Sequence, residues 1–179
     1  MRRLARDLGV EAMSLYHHVP SKDALLDAVM ELLVGEVAFA TAGGWDARVR
    51  ETARALRRLA LRHPHAYPLL LTRPYGTGQL LAFCERLAEM MAELRMSPSR
   101  TAQAFRLIGH FIDGATLYAA AGPARKTAPP VPPPAPLSAE LHPHLLAIAP
   151  FLARSQAEAH FEFGLDRLIV DLRRMAAEP

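Results

Sequence analysis

Apolar residues recur along this chain at intervals of three and four, and no stretch alternates with period two over a strand length. That pattern predicts helices almost throughout. Arg2-Arg3-Leu4-Ala5-Arg6-Asp7-Leu8 reads as a short helix that Gly9 ends, because glycine tolerates the left-handed conformation of a helix stop. A second short helix runs from about Glu11 to His18 and breaks at Val19-Pro20. Ser21 caps a long helix to about Val37, with Asp23 in its first turn and Leu25, Leu26, Val29, Leu32 and Leu33 at helical spacing. Gly43-Gly44 is a linker. Asp46 then opens a helix to about Arg62, apolar at Val49, Ala53, Leu56 and Ala60, with Arg50, Arg54, Arg57 and Arg58 opposite.

His63-Pro64-His65 stops that helix. A short segment from Tyr67 to Thr72 leads to Pro74, and a further helix spans about Thr77 to Met96. Ser97-Pro98 starts the next, cap and first position, which runs to about Ala121 and is expected to stop at Gly122-Pro123. Residues 123–136 hold seven of the fifteen prolines and read as an extended loop. A short helix near 138–148 precedes a last one over about 155–176.

In that last helix, Ala157, Phe161, Leu165, Leu168, Leu172 and Met175 form one apolar stripe, with Phe163, Ile169 and Val170 off it. The helix from Pro98 has the same two-faced character, with Ala104, Ile108, Phe111, Ala115 and Tyr118 on one side and Phe105 and Ile112 on another. Two helices that are apolar on two faces each call for a second body to cover them. A homodimer with an apolar interface is therefore expected.

Composition narrows the class. The chain has 179 residues, 51% of them hydrophobic and 22% charged, enough to bury a core. No apolar run reaches the length of a membrane span, and no basic-then-apolar leader opens the sequence, so a cytoplasmic, membrane-free protein is expected. The single Cys84 leaves no internal disulfide and no multi-cysteine zinc site, and in a helical apolar stretch it reads as core. His63-Pro64-His65 and His142-Pro143-His144 are loop pairs without the third and fourth ligands that a metal needs, so neither metal nor cofactor is expected. No catalytic constellation and no strand-borne phosphate loop appear, which argues against an enzyme. The net charge of +3 is too small to identify a polyanion partner.

The chemistry sits near the start. Leu4, Ala5 and Leu8 form the packing face of the first helix. Small Ala5 lets the second helix approach, Gly9 makes the turn, and Val10 and Leu15 fill the corner. That leaves Ala12, Met13, Tyr16 and His17 projecting from a helix short enough for a major groove. The run Leu4-Ala5-x-x-Leu8-Gly9-Val10-x-x-x-Ser14-Leu15-Tyr16-x-His18-Val19-x-x-Lys22-x-x-Leu25-Leu26 closely resembles the tetracycline-repressor (TetR) family of bacterial transcriptional regulators. Leu71-Thr72-Arg73-Pro74, Gly109-His110-Phe111 and Phe161-x-Phe163-Gly164-Leu165-Asp166-x-Leu168-Ile169 are similar to the ligand-binding domain of the tetracycline repressors.

The resemblance implies an all-α chain. Residues 1–42 would form a DNA-binding head with its connecting helix, and 43–179 a ligand-binding and dimerisation domain. It implies a homodimer that reads a palindromic operator in double-stranded DNA, represses, and is released by a small-molecule inducer. By position, Ala12, Met13, Tyr16 and His17 would face the groove, with Arg2 reading a base. Ser14 and Lys22 would hold the backbone.

The resemblance places Thr52, Leu56, Thr72, Leu80 and His110 at the ligand, although His110 equally suits a core histidine or an ion pair with Asp113. It assigns a four-helix dimer seam to Phe111, Ala115, Tyr118, Phe161, Leu165, Leu168 and Leu172. Leu69 stands where the tetracycline repressors use a histidine to hold a magnesium–drug chelate, so a more apolar ligand, bound without metal, is expected. The family's first head helix precedes the motif, and Met1 falls where that helix has ended. Leu4, Leu8 and Leu25 are then expected to lack part of their cover. A helical dimer that binds a small molecule but not DNA is the alternative.

Overall fold

The structure is a computed structural model describing residues 1–72, 78–127 and 135–178. Among these residues it contains helices and no strand: α1 Arg2–Leu8, α2 Ala12–His18, α3 Lys22–Gly35, α4 Trp45–Arg62, α5 Pro68–Thr72, α6 Gly78–Ala92, α7 Pro98–Thr127, α8 Pro143–Ile148 and α9 Ala157–Ala177. Two 3-10 turns, Ala149–Leu152 and Arg154–Gln156, join α8 to α9. Arg73, Pro74 and Thr77, and the segment 128–134 of the proline-rich stretch, lie outside the described residues.

Local chemistry accounts for most of the boundaries. Gly9 closes α1 with φ of 67°, a left-handed value that a β-carbon disfavours. Ser21 Oγ accepts the Ala24 N–H at 3.0 Å and so caps α3. Ser97 Oγ stands 3.4 Å from the Arg100 amide ahead of Pro98. Two expectations are corrected. Gly44, not Asp46, occupies the cap of α4, and Asp46 sits inside the first turn, where it pairs with Arg173. The backbone of α7 does not stop at Gly122-Pro123 but stays helical to Thr127.

α4 is the central helix, packed most extensively on α7 and also on α6. Val49, Thr52, Ala53, Ala55, Leu56, Leu59 and Ala60 are all buried. The arginine side of α4 is not a solvated face. Arg54 clasps Glu162 of α9 through Nε and Nη2 at 2.8 and 2.7 Å, and Arg57 meets Glu158 at 2.8 Å. Arg50 pairs with Asp166. Together with Asp46–Arg173 these contacts step down one helix as they climb the other, so α4 and α9 run antiparallel, in register. The Arg54 bond holds the Glu162 carboxyl below its ordinary range. Arg57 is buried, with its guanidinium 5.1 Å from the Phe161 ring centre.

The buried stripe of α7 is Ala104, Ile108, Ile112, Thr116 and Ala120, one residue every four. Thr116 is tolerated because its hydroxyl lies 2.7 Å from the Ile112 carbonyl one turn back. In α9 the stripe is Phe161, Leu165, Leu168, Ile169 and Leu172. Where α7 and α9 cross, Phe111 and Phe161 stack at 5.8 Å, and a β-carbon on Gly164 would come within 2.5 Å of the Phe111 ring. Glycine to alanine in a helix interior ordinarily stabilises by about 1 kcal/mol. For Gly164→Ala the sign should reverse, with a net loss of roughly 1–2 kcal/mol from overpacking. Chemical denaturation checks it, and a gain in midpoint would mean that the ring moves freely aside.

Candidate reading head and ligand cavity

α1, the Gly9 turn and α2 pack together as a helix-turn-helix corner. Gly9 and Val10 amides return to the Arg6 and Ala5 carbonyls at 3.2 and 3.0 Å, which fixes the angle between the helices. Ala5 is buried at their contact. Met13, Ser14, Tyr16 and His17 are exposed on α2 and Ala12 is half-buried. Arg2 and Lys22 are exposed at the starts of α1 and α3. Leu4, Leu15 and Leu25 are half-buried, while Leu8 is 60% and Val10 is 44% exposed, so the corner is incompletely covered.

α3 leaves this head and enters the core. Met30, Leu33 and Val34 are buried, and the helix packs on α6 and α5. Its end is held to the end of α4, where Glu36 meets Arg62 at 3.0 Å and His63 at 3.1 Å.

Between α3, α4, α5, α6 and α7 lies a small cavity of about 90 Å³, partly open to solvent. Val34 and Val37 from the α3 end, Leu56, Leu70, Leu80, Phe83, Leu87, Phe105, Ile108 and Ile112 form its apolar walls. Three polar side chains also line it: Tyr67, Cys84 and Asp113. Tyr67 is 1% exposed, and burial pushes its hydroxyl up to about 12. Thr116 Oγ1 lies 2.9 Å from the Tyr67 oxygen and 2.7 Å from the Ile112 carbonyl. One threonine proton cannot serve both, so Tyr67 supplies the proton of the first bond when Thr116 donates to the carbonyl. Burial also raises the Asp113 carboxyl and the Cys84 thiol, and Asp113 adds to the effect on both Cys84 and Tyr67. Thr116 Oγ1 also lies 3.1 Å from the Asp113 carbonyl, which brings Tyr67 and Asp113 to one side of the cavity.

Of the ligand residues expected from sequence, Leu56 and Leu80 are on the cavity wall. Thr52 is fully buried in α4 away from that wall, and its hydroxyl has no partner. Thr72 is exposed and bonds the Pro68 carbonyl at 3.0 Å. His110 is exposed on α7, one turn before Asp113, whose raised carboxyl it partly offsets. Sequence reasoning missed Tyr67 and Asp113. The signal was present for Tyr67, an aromatic after a helix stop, but nothing local distinguishes Asp113 from a surface acid. Of the expected seam residues, Phe161, Leu165, Leu168 and Leu172 are buried inside the protomer. Phe111 and Ala115 are half-buried and Tyr118 is 63% exposed. Leu107 and Leu117 of α7 and Phe163 and Val170 of α9 are further exposed apolar side chains.

Among the described residues no three histidines, cysteines or acids gather as a metal site. His142 Nδ1 instead accepts the Ser138 amide at 3.2 Å. No described helix is long and apolar enough to cross a membrane.

A helix-turn-helix corner joined by one helix to an apolar cavity defines a class of two-part, all-helical chains. Residues 40–175 match the family model for the tetracycline repressor-like C-terminal domain. The chain belongs to the tetracycline-repressor family. It is 32% identical over 177 residues to the class D tetracycline repressor of Escherichia coli, covering 94% of this chain and 77% of that protein. An HTH-type transcriptional regulator of Saccharopolyspora erythraea is 32% identical over 116 residues, 64% of this chain and 49% of the regulator. The chain thus spans about half the length of that relative. ActR of Streptomyces coelicolor, in complex with actinorhodin, superposes with a TM-score of 0.74 at 26% identity, covering 99% of this chain and 88% of ActR.

Proposed function

We propose that this chain is a ligand-responsive transcriptional repressor that binds a palindromic operator as a homodimer and is released by a small-molecule inducer. The observation that carries this reading is α3. Its first residue, Lys22, belongs to the head, and Val34 near its end lines the cavity. Twelve residues of helix make a lever of roughly 18 Å, so a ligand that tilts α3 by about 5° moves the head by about 1.5 Å. In a dimer the displacement occurs at both ends. Two heads must enter successive major grooves about 34–36 Å apart, so the change in spacing weakens both contacts at once. The head would comprise residues 1–42 and the ligand and dimer domain 43–179. Leu107, Phe111 and Tyr118 of α7 and Phe163 and Val170 of α9 would carry the dimer seam, because the inner stripes are already used within the protomer.

Titration of DNA binding against salt tests the head. Lys22→Ala should weaken binding to every sequence and reduce the salt slope by about one, as loss of a single phosphate contact does. An unchanged slope would remove Lys22 from the interface. The cavity makes a separate prediction. Tetracycline with magnesium should not raise the thermal midpoint, because Leu69 offers no lone pair to the chelate. A magnesium-dependent rise would contradict the expectation of a ligand bound without metal.

A further inference from the structure

The cavity carries more information about its ligand than its apolar walls. Among the described residues, Asp113 is the only charged side chain that lines it, and no Arg, Lys or His does. Arg50, Arg54 and Arg57 pair with α9 acids, Arg62 with Glu36 and Arg100 with Glu178. No described side chain donates a hydrogen bond to the Asp113 carboxylate, and its one charged influence is exposed His110. The rest of the described lining is Val, Leu, Ile, Phe and Gly109 with Tyr67 and Cys84. Tyr67 spends its proton on Thr116 whenever Thr116 donates to Ile112, and a thiol is a weak donor. The polar end of the cavity therefore offers acceptors and a negative charge, with little to donate.

We infer that the inducer is a lipophilic molecule carrying one positive charge, a protonated amine seated against Asp113 with its apolar remainder among Leu56, Leu80, Phe83 and Ile108. A carboxylate in an apolar surround has lost much of its hydration, and an ammonium returns a charge-assisted hydrogen bond in a medium where it is stronger than in water. An anionic ligand meets repulsion from Asp113 and finds no compensating cation among the described lining residues. Tyr67, held on the same side through Thr116, offers an oxygen lone pair to a remaining ammonium proton. Burial raises the Asp113 carboxyl, and a neighbouring ammonium would act in the opposite direction.

This inference rests on the reading of the cavity as the ligand site, and its test separates the two. Phenylbutylamine, phenylbutanol and phenylbutyrate share one apolar skeleton and differ only in the charge of the head group. Calorimetric titration of each into the full chain near neutral pH should rank the amine first, at least about tenfold over the alcohol, with the acid weakest. Asp113→Asn should bring the amine down to the alcohol's affinity, and Leu80→Trp, which fills the cavity, should abolish binding of all three. The wild-type ranking needs no variant to fold. If the alcohol or the acid binds as tightly as the amine, or Asp113→Asn leaves the amine unaffected, the cavity stands and the cation inference fails. If none of the three binds at millimolar concentration, or the amine still binds Leu80→Trp, the site reading fails and the inference with it.

Discussion

Leu165→Asp should prevent the chain from folding, while the double change Phe163→Asp, Val170→Asp should leave each protomer folded and abolish the dimer. Leu165 has no exposed surface and Phe163, two residues away, is 67% exposed. An aspartate at 165 would be placed in the core without a partner, at a cost of several kcal/mol. That is a large share of the roughly 5–15 kcal/mol by which a domain is stable. At 163 and 170 the same residue meets water in the isolated protomer. In a two-fold dimer it places four charges in one seam, because each position occurs twice. An interface of standard size, about 1,200–2,000 Å², does not survive that. Circular dichroism melts and light scattering separate the outcomes. The expected results are lost helicity for Leu165→Asp, and a near wild-type melt at half the mass for the double variant. A folded monomer from Leu165→Asp beside an intact dimer from the double variant would return the seam to the inner stripe.

The second large effect is at the head. Tyr16 and Met13 are 42% and 67% exposed on α2, a helix of seven residues with no buried side chain of its own. Exposed apolar side chains on so short a helix add little to the core, which suits them to the base-edge contact proposed for this helix. Losing the contacts to one base pair costs about 1–3 kcal/mol, or tenfold to a hundredfold. Both heads of a dimer carry the change, so Tyr16→Ala should lower operator affinity by roughly a hundredfold to ten-thousandfold. Affinity for random DNA should stay within a few-fold, because phosphate contacts are untouched. Equal losses on operator and random DNA in an electrophoretic or anisotropy titration would assign Tyr16 a packing role instead.

The head and most of the helices are legible in the sequence because their signals are local. Gly9 marks a left-handed stop, Ser21 a cap, and the 161–165–168–172 stripe an apolar helix face, and each acts through its immediate neighbours. What stays hidden depends on partners distant in sequence. The arginines of α4 look like a solvated face until α9 supplies Glu158, Glu162 and Asp166. Thr116 looks like a polar interruption of the α7 stripe until its hydroxyl is seen to bond back to Ile112. Sequence alone does not place the dimer seam, because two apolar faces on one helix do not say which is spent inside the protomer. The cavity is half legible: Leu56 and Leu80 follow from the family pattern, but Asp113 becomes distinctive only once apolar helices close around it.

Under the proposed function, this chain reads a specific operator through α2 and releases it when the cavity fills. The most direct measurement is fluorescence anisotropy of the purified chain on two labelled duplexes in about 150 mM salt, one carrying palindromes from its own promoter and one scrambled. The account predicts a preference of about a thousandfold or more for the palindrome, reversed on adding a ligand that binds the wild-type cavity and unaffected by that ligand in Leu80→Trp. Equal affinity for the two duplexes would contradict it.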